Sequence, residues 1–305
     1  MSSDLRARHR RLGAPRRRSA SVVARLGAGL LSLLLLSGCT GRDLGLPVAA
    51  SDRAQYVDEL WVGAWIAAGV IGVFVAGLGV WAAVAYRRRS DDEVPKQVRY
   101  NLPLEVLYTV APVIVIAVFF FHTVKTNSEL LNRLPDEADH RIVVIGQKWS
   151  WSFNYMEEEA TNGEAVFTVG TPADRPTLML PVNETVRFDL QSQDVIHAFW
   201  VPAFYFKLDV LPGQGANEGT GTNTFSLTPT REGTYAGRCS ELCGLYHSRM
   251  LFTVEVVSRE EFDEAMVELQ EQGNTGELRY ASEIEKVAGL EDQETAESAT
   301  EDGAE

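Results

Sequence analysis

The sequence predicts a membrane α-helical hairpin followed by an all-β sandwich, and three patterns support this fold class. The stretch from Leu60 to Tyr86 has no Asp, Glu, Lys, Arg or His over 27 residues, long enough for a tilted transmembrane helix. A second apolar run extends from Leu102 to about Val124. Beyond it, short β-rich runs separated by Pro, Gly, Asn and Asp recur up to residue 257, a spacing typical of an antiparallel sandwich.

Composition narrows the function classes. The 305 residues include 28 Lys and Arg against 42 Asp and Glu, a formal net charge of −14. A nucleic-acid-binding protein needs clustered positive charge, so this balance argues against nucleic acid as a partner. Three cysteines are too few for a disulfide-dense secreted module. The 45% apolar content is compatible with a membrane protein, because a polar domain and an acidic tail dilute the apolar spans.

Residues 1–38 have the pattern of a signal peptide. Eight arginines lie within the first 25 residues, and the apolar run over 26–36 is too short to cross a bilayer comfortably. The sequence Leu36-Ser-Gly-Cys39 resembles a bacterial lipoprotein cleavage box, in which the cysteine becomes the lipidated first residue. We therefore expect lipidation at Cys39. Ordinary cleavage near Gly38, with the cysteine incidental, is the alternative.

The membrane hairpin follows an outer linker at residues 39–59. Transmembrane helix 1 is expected at 60–86, a cytoplasmic loop at 87–101 and transmembrane helix 2 at 102–125. The orientation comes from the loop, because Lys and Arg are enriched on the cytoplasmic side. Its basic residues are Arg87, Arg88, Arg89, Lys96 and Arg99. Both flanks are then extracytoplasmic, in agreement with the signal peptide and with an outward Cys39.

Residues 126–260 form the predicted extracytoplasmic domain, and residues 261–305 a short helix and an acidic, disordered tail. Nine strand-like runs are expected: Arg141–Ile145, Lys148–Tyr155, Ala165–Val169, Thr177–Leu180, Glu184–Leu190, Ala198–Val201, Thr224–Thr228, Gly233–Gly237 and Leu251–Val257. The terminal helix is expected over Arg259–Leu269. The polar residues after it have few large apolar side chains to bury, which favours disorder.

A cluster of soft ligands carries most of the functional information. Cys239, Cys243, His247 and Met250 lie within twelve residues, and His197 lies upstream. Two thiolates, two imidazoles and a thioether suit copper. A mononuclear blue-copper site needs only one cysteine, whereas two thiolates can bridge two copper ions that each carry one imidazole. Such a pair shares its electron over both metals, which suits rapid electron transfer.

Two other interpretations of the cysteines remain open. Cys239 and Cys243 lie outside the membrane and could form a disulfide, but that leaves His197, His247 and Met250 unexplained. A Cys2His2 zinc site is the second alternative, and the methionine and the β-sandwich context count against it.

With these residues in view, the chain resembles subunit II of a bacterial cytochrome c oxidase, a haem-copper terminal oxidase, from about Leu60 to Val257. The most specific motif is Cys-Ser-Glu-Leu-Cys-Gly-x-x-His-Ser-x-Met at 239–250. Further matching motifs are Leu104-Glu105-Val-Leu-Tyr-Thr-Val-Ala-Pro112, Gly146-Gln-Lys-Trp149-Ser-Trp151-Ser-Phe-Asn-Tyr155, Asp194-Val-Ile-His197 and Lys207-Leu-Asp209-Val-Leu-Pro212-Gly213. The resemblance implies a two-helix hairpin plus an outward cupredoxin-like Greek-key domain that holds the dinuclear CuA centre.

The resemblance also implies the reaction and the ligands. The CuA centre takes electrons from cytochrome c and passes them to haem in subunit I, where O2 is reduced to water with coupled proton pumping. The implied copper ligands are His197, Cys239, Cys243, His247, Met250 and the backbone carbonyl of Glu241. The Glu241 side chain is implied to reach a magnesium ion shared with subunit I, which suits a hard oxygen ligand. A solvated loop carboxylate is the alternative.

Glu105 and Trp149 each have two interpretations. Glu105 is either a harmless interfacial carboxylate or, as the resemblance implies, the entrance of a proton channel in subunit I. Alternation along Gln147–Tyr155 places Trp149 on one strand face with Trp151, which makes it core. The resemblance instead places Trp149 at the surface above the copper pair, where electrons enter. The core and surface interpretations of Trp149 agree only if the strand bends near Ser150.

The expected partners are oxidase subunits I and III, a soluble or membrane-tethered cytochrome c, and the plasma membrane of a bacterium. The outer domain has 18 Asp and Glu against 10 Lys and Arg over residues 126–260, and an acidic face would steer a basic cytochrome c. A copper-free quinol oxidase subunit is disfavoured by the five intact ligands. A copper-storing or copper-delivering assembly lipoprotein is the rival from another class, and such a protein needs no second membrane helix.

Overall fold

The computed structural model describes residues 44–90, 93–131, 138–213 and 223–278. The predicted signal peptide, Cys39, most of the Gly-rich loop at 214–223 and the tail beyond residue 278 lie outside the described residues.

Two long helices form the membrane hairpin. Helix α1 spans Ala54–Ala85 and helix α2 spans Leu102–Leu131. Both are long and apolar enough to cross a membrane, and their central apolar stretches are entirely exposed. Each helix extends into polar residues beyond its predicted span. The Arg53 side chain donates from Nη1 to the carbonyl oxygen of Glu129 at 3.0 Å, so the outer ends of the two helices meet on one side.

Within the described residues, ten strands form the outer domain as two five-stranded sheets. Their bounds are β1 His140–Gln147, β2 Ser150–Met156, β3 Val166–Val169, β4 Thr177–Pro181, β5 Val186–Ser192, β6 His197–Val201, β7 Phe206–Val210, β8 Thr224–Leu227, β9 Gly233–Cys239 and β10 Leu251–Val257. The strand orders are β3-β2-β1-β5-β8 and β4-β10-β9-β6-β7. Helix α3, Arg259–Glu271, follows β10 and begins with a capping box between Ser258 and Glu261.

Two features of the sandwich differ from the predicted pattern. The β1–β5 and β4–β10 pairs are parallel, so the expectation of a purely antiparallel sandwich is wrong for these pairs. Parallel partners are distant in the chain, so no turn signal in the sequence marks them. Strand β7 was not predicted, although Phe206 and Val210 are buried at its two ends while Lys207 and Asp209 are exposed.

The core lies between the two sheets. On the inner face of β2, Trp151, Phe153 and Tyr155 are completely buried. The ring of Phe252, from the opposite sheet, lies 5.4 Å from the Trp151 ring and 5.5 Å from the Phe153 ring. These aromatic contacts join the sheets directly beneath the end of the domain that carries the metal-ligand loop.

The outer face of β2 is also buried, contrary to the amphipathic strand that alternation suggests. Ser150, Ser152 and Asn154 are at most 2% exposed. The amide of Asn154 donates to the backbone oxygen of Leu278 at 2.9 Å, and Leu278 is itself buried. Residues 272–278 therefore pack on the domain rather than starting a disordered tail, because backbone bonds to an edge strand and a polar side chain hold them.

The outer linker also packs on the sandwich instead of spanning free. Ala50 is fully buried and its N–H donates to the carbonyl oxygen of Ala203 at 2.8 Å. The Ser51 hydroxyl donates to the carbonyl oxygen of Phe204 at 2.7 Å. These bonds fasten the domain to the start of helix α1, three residues later.

Candidate metal centre

Two sheet segments bring the predicted ligands together. His197 opens β6 and Cys239 closes β9, and these strands are paired antiparallel with Phe199 opposite Cys239. The loop after β9 carries Cys243 and His247 and returns to β10 through Met250. The N–H of Cys239 donates to the carbonyl oxygen of Met250 at 3.0 Å, which closes the loop at its base.

The donor atoms of six residues form one cluster. The Sγ atoms of Cys239 and Cys243 lie 3.9 Å apart. Nδ1 of His197 is 3.9 Å from Cys239 Sγ, and Nδ1 of His247 is 3.5 Å from Cys243 Sγ. Cys239 Sγ also contacts the carbonyl oxygen of Glu241 at 3.2 Å. On the other side, Met250 Sδ is 3.6 Å from Cys243 Sγ.

This arrangement separates the interpretations of the cysteines. Cys239 and Cys243 are free thiols, and 3.9 Å between their sulfurs is far beyond a disulfide bond. The sulfurs are central, and each has one imidazole nitrogen beside it. The weak donors, a thioether and a carbonyl oxygen, complete the set. A soft, nitrogen- and sulfur-rich site with thioether participation fits copper better than zinc.

Burial shields most of the cluster from water. His197 and Met250 are completely buried, and Cys239 and Cys243 are 6% and 3% exposed. His247 is half-buried, so one side of the cluster approaches the surface. Such a site excludes solvent around the sulfurs while it keeps one imidazole near the surface.

The two thiols differ in acidity. Burial opposes ionisation of Cys239, but contacts with His197 and nearby backbone groups outweigh it and lower the pKa to about 7. Burial and the neighbouring Cys239 sulfur raise the pKa of Cys243 to about 12. Ionisation of Cys243 is opposed first by burial and then by the adjacent Cys239 sulfur, because two neighbouring negative sulfurs repel each other. Bound cations would remove this penalty, which couples metal binding to proton release.

Asp194 lies beside the cluster, although in the sequence it stood out only as part of a motif. Its Oδ1 lies 2.8 Å from Nε2 of His197. Because a carboxylate only accepts, Nε2 carries a hydrogen, which leaves Nδ1, the nitrogen beside Cys239, as the one that could bind a metal. Burial alone would raise the pKa of Asp194, but hydrogen bonds from His197, Val195 and Lys148 lower it. The i to i+3 spacing from Asp194 to His197 was the available signal.

Trp149 lies outside both strands, in the turn between β1 and β2. Its side chain is half-buried, and Nε1 donates to the carbonyl oxygen of Cys243 at 3.2 Å. Its ring meets that of Tyr246 edge to face, with 5.0 Å between centroids. The expectation of a fully buried Trp149 within the strand is wrong, because the strand begins at Ser150 and the turn carries Trp149 onto the metal-ligand loop. There it is half-buried and still packs against the core cluster.

The remaining predicted site residues lie apart from the cluster or outside the description. The Glu241 side chain is exposed, although its carbonyl oxygen joins the cluster. Glu105 lies in the first turn of α2, where Oε1 accepts the N–H of Asn101 at 3.0 Å. Cys39 is outside the described residues.

Two known family models match this chain, one over the sandwich with its sulfur cluster and one over the hairpin. Residues 140–257 match the family model described as cytochrome C oxidase subunit II, periplasmic domain. Residues 39–125 match the model described as cytochrome C oxidase subunit II, transmembrane domain. The chain belongs to the cytochrome c oxidase subunit II family. The recognition drawn from the motifs is confirmed, as are the helical hairpin and the cupredoxin-like sandwich.

Individual subunit II proteins agree with the family match. A protein of Streptomyces avermitilis named probable cytochrome c oxidase subunit 2 is 43% identical, covering 82% of this chain and 87% of the relative. Cytochrome c oxidase subunit 2 of Mycobacterium tuberculosis is 33% identical, covering 82% of each chain. The crystal structure of the periplasmic domain of subunit II of cytochrome oxidase from Bradyrhizobium japonicum is 28% identical, covers 46% of this chain and 99% of that chain, and gives a TM-score of 0.38.

The family places the chain in the enzyme class expected from the sequence, cytochrome c oxidase. A membrane protein with an extracytoplasmic copper domain is the coarse architecture that the two matched segments support. No described feature favours a copper-delivering lipoprotein, and the second membrane helix belongs to the matched family.

Proposed function

We propose that the chain is the electron-accepting subunit of a bacterial cytochrome c oxidase and holds a dinuclear CuA centre. The observation that carries this proposal is the position of the two free thiols, with one imidazole beside each sulfur. When bound, the copper pair supplies a shared one-electron carrier between cytochrome c and haem in subunit I. The proposed ligands are His197, Cys239, Cys243, His247, Met250 and the carbonyl oxygen of Glu241.

The protein's own contribution is to hold these donors in a fixed arrangement. The β6–β9 pairing sets His197 against Cys239, and the Cys239–Met250 backbone bond sets the loop length. Because strand pairing and a backbone hydrogen bond fix these donors, little rearrangement would be required when the oxidation state changes. A rigid, water-poor site of this kind would lower the reorganisation energy, which otherwise slows electron transfer.

Trp149 is proposed as the point at which electrons enter from cytochrome c. The indole is half-buried and bonded to the carbonyl of a proposed ligand, Cys243. The exposed side chains of Leu242 and Leu245, 76% and 75% accessible, extend the apolar surface of the same loop. Partly exposed aromatic and aliphatic groups of this kind suit a docking surface. The charges beside it, Lys148 and Asp194, are mixed in sign, so steering by a wholly acidic face stays a prediction.

Three further assignments belong to the assembled enzyme. The exposed Glu241 carboxylate is proposed to reach a magnesium ion shared with subunit I. The other ligands of that ion must then come from another chain. Glu105 is proposed as the proton-channel entrance at the cytoplasmic end of α2. Subunits I and III are the proposed partners in the plasma membrane of a bacterium, where the apolar central surfaces of α1 and α2 would be covered by lipid and by those subunits.

The test uses the full chain purified in detergent and loaded with copper. We expect two copper ions per chain, thiolate-to-copper absorption and a mixed-valence electron paramagnetic resonance signal. Cys239→Ser or Cys243→Ser should abolish that signal, because each removes a bridging thiolate. Ser240→Ala, a change between two proposed ligands that removes no donor atom, is the matched control and should keep it. One copper per chain with a single-site spectrum would contradict the dinuclear assignment.

A further inference from the structure

Asp194 joins a proposed copper ligand to a turn that carries no ligand. Its Oδ1 lies 2.8 Å from Nε2 of His197, and its Oδ2 accepts the backbone N–H of Lys148 at 2.7 Å. The N–H of Val195 also donates to Oδ1, at 2.6 Å. All three groups are donors, so the position requires a side chain that accepts at both ends.

The turn at Lys148–Trp149 also contacts the loop that carries Cys243. Lys148 precedes Trp149, whose indole N–H donates to the carbonyl oxygen of Cys243 at 3.2 Å. The indole packs closely over the loop, since a Cβ at Gly244 would lie 3.1 Å from Trp149 Nε1. His197 and Cys243 come from different parts of the chain. The turn at Lys148–Trp149 bonds directly to the backbone of Cys243, and it reaches His197 through Asp194, which bonds to both.

We propose that Asp194 is a positioning residue, which orients the His197 imidazole and, through the Lys148–Trp149 turn, keeps it in register with Cys243. The turn is then a brace across the metal centre as well as a docking surface. This inference rests on the proposed copper function. It concerns how the centre is held, and none of the donor atoms is reassigned.

Asp194→Asn is the sharpest variant, because it keeps the size of the side chain. An asparagine offers one acceptor and one donor, so it must face either Lys148 or His197 with an N–H group and lose that bond. It also removes a negative charge beside a metal ligand, which favours the reduced, less positive centre. The reduction potential should therefore rise. Asp174→Asn, an exposed carboxylate in the 171–175 turn, is the charge-matched control.

The first measurement uses the full chain without copper, so it is independent of the proposed function. Hydrogen exchange followed by mass spectrometry reports the Lys148 amide, with peptides from β10 as a control for global folding. In the wild type this amide should exchange slowly although it lies in a turn. In Asp194→Asn it should exchange about tenfold faster while β10 is unchanged, a loss equivalent to roughly 1.4 kcal/mol of local protection. Fast exchange in the wild type would overturn the brace.

The second measurement uses the copper-loaded chain. Supporting groups around metal-binding histidines typically contribute about 10–100-fold to affinity, so copper loss to a chelator should be accelerated at least tenfold by Asp194→Asn. The reduction potential should rise, a change that a purely structural role elsewhere in the domain would not produce. A variant that matches Asp174→Asn in both copper retention and potential would refute the positioning role.

A double variant tests whether the turn connects the two ligands. Trp149→Phe removes the indole donor to Cys243 and keeps an aromatic ring. Each single variant accelerates copper loss by some factor. If Asp194 and Trp149 act through one turn, the acceleration in the double variant should be smaller than the product of the two single factors. Strictly multiplicative effects would show two independent contacts and contradict the brace. Absence of a dinuclear spectrum in the wild type would instead contradict the copper proposal, whatever the exchange result.

Discussion

The indole nitrogen of Trp149 lies 3.2 Å from the carbonyl oxygen of Cys243, to which it donates a hydrogen bond. A residue in a turn is thereby connected to the backbone of a proposed copper ligand, while Trp151, two positions later, is buried in the core. The structure thus contradicts a fully buried Trp149, while electron entry at Trp149 stays a prediction.

Trp149→Ala should leave the domain folded and impair only electron acceptance. We expect oxidation of the physiological cytochrome to fall by more than about tenfold, equivalent to roughly 1.4 kcal/mol of barrier, while a small artificial donor still reduces the copper. Trp151→Ala is the matched comparison and should cost about 3–5 kcal/mol of unfolding free energy, with copper loss following. Normal cytochrome oxidation in folded Trp149→Ala would sink the assignment.

Met250 should tune the centre rather than hold it together. Met250→Leu keeps a buried apolar side chain of similar volume but removes the sulfur 3.6 Å from Cys243 Sγ. Copper content should be retained and the reduction potential should shift, because the thioether is the weak donor of the set. Copper quantification and potentiometric titration check this. Loss of both copper ions would give Met250 a stronger role than the geometry supports.

Glu105 provides a test at the cytoplasmic end of the hairpin. Glu105→Gln keeps an oxygen that can accept the N–H of Asn101, so helix α2 should begin normally. Turnover of the assembled oxidase should fall by about tenfold, roughly 1.4 kcal/mol of barrier, with unchanged copper content. Glu93→Gln, a neighbouring carboxylate that accepts the N–H of Arg89, should have normal turnover. Equal, unimpaired rates for both variants across the pH range would make Glu105 a cap only.

His140 should make the outer domain less stable at high pH. Burial alone would lower its pKa, but hydrogen bonds and charges from Glu158 and Glu184, each 2.8 Å from a ring nitrogen, raise it above the ordinary value of 6.5. The raised value means that the fold favours the protonated ring. This stabilisation is fully present below about pH 6.5 and is lost as pH rises through the folded-state pKa.

Thermal unfolding of the full chain between acid and mildly alkaline pH measures this effect. The wild type should lose stability over the window above pH 6.5, and His140→Asn should flatten that part of the profile. A wild-type midpoint that rises with pH through this window would reverse the sign of the argument.

Lipid attachment at Cys39 is a prediction from the cleavage box alone. Mass spectrometry of the mature protein should find a diacylglyceryl-modified amino-terminal cysteine, and Cys39→Ala should remove it. The hairpin should keep the variant in the membrane, because two spanning helices bind far more strongly than acyl chains. An unmodified mature terminus at another residue would refute lipidation.

The sequence by itself predicted the hairpin and the proposed copper donors, because both signals are local. Twenty or more uncharged residues predict a membrane span whatever surrounds them. Four donors within twelve residues must lie close together once a short loop closes, as the Cys239–Met250 bond shows. His197 joined them from upstream by its chemistry as a soft-metal ligand, whereas the carbonyl of Glu241 was named only through the family resemblance.

Tertiary structure decided what depends on contacts between distant segments. No local sequence pattern predicts three of these features. They are the parallel β1–β5 and β4–β10 pairs, the packing of residues 272–278 through Asn154, and the packing of Ala50 on Ala203. Trp149 shows the difference most clearly. Period-2 alternation assigned it to the core, but a turn placed one residue before Ser150 carries it to Cys243, and the position of a turn depends on how the flanking strands pair.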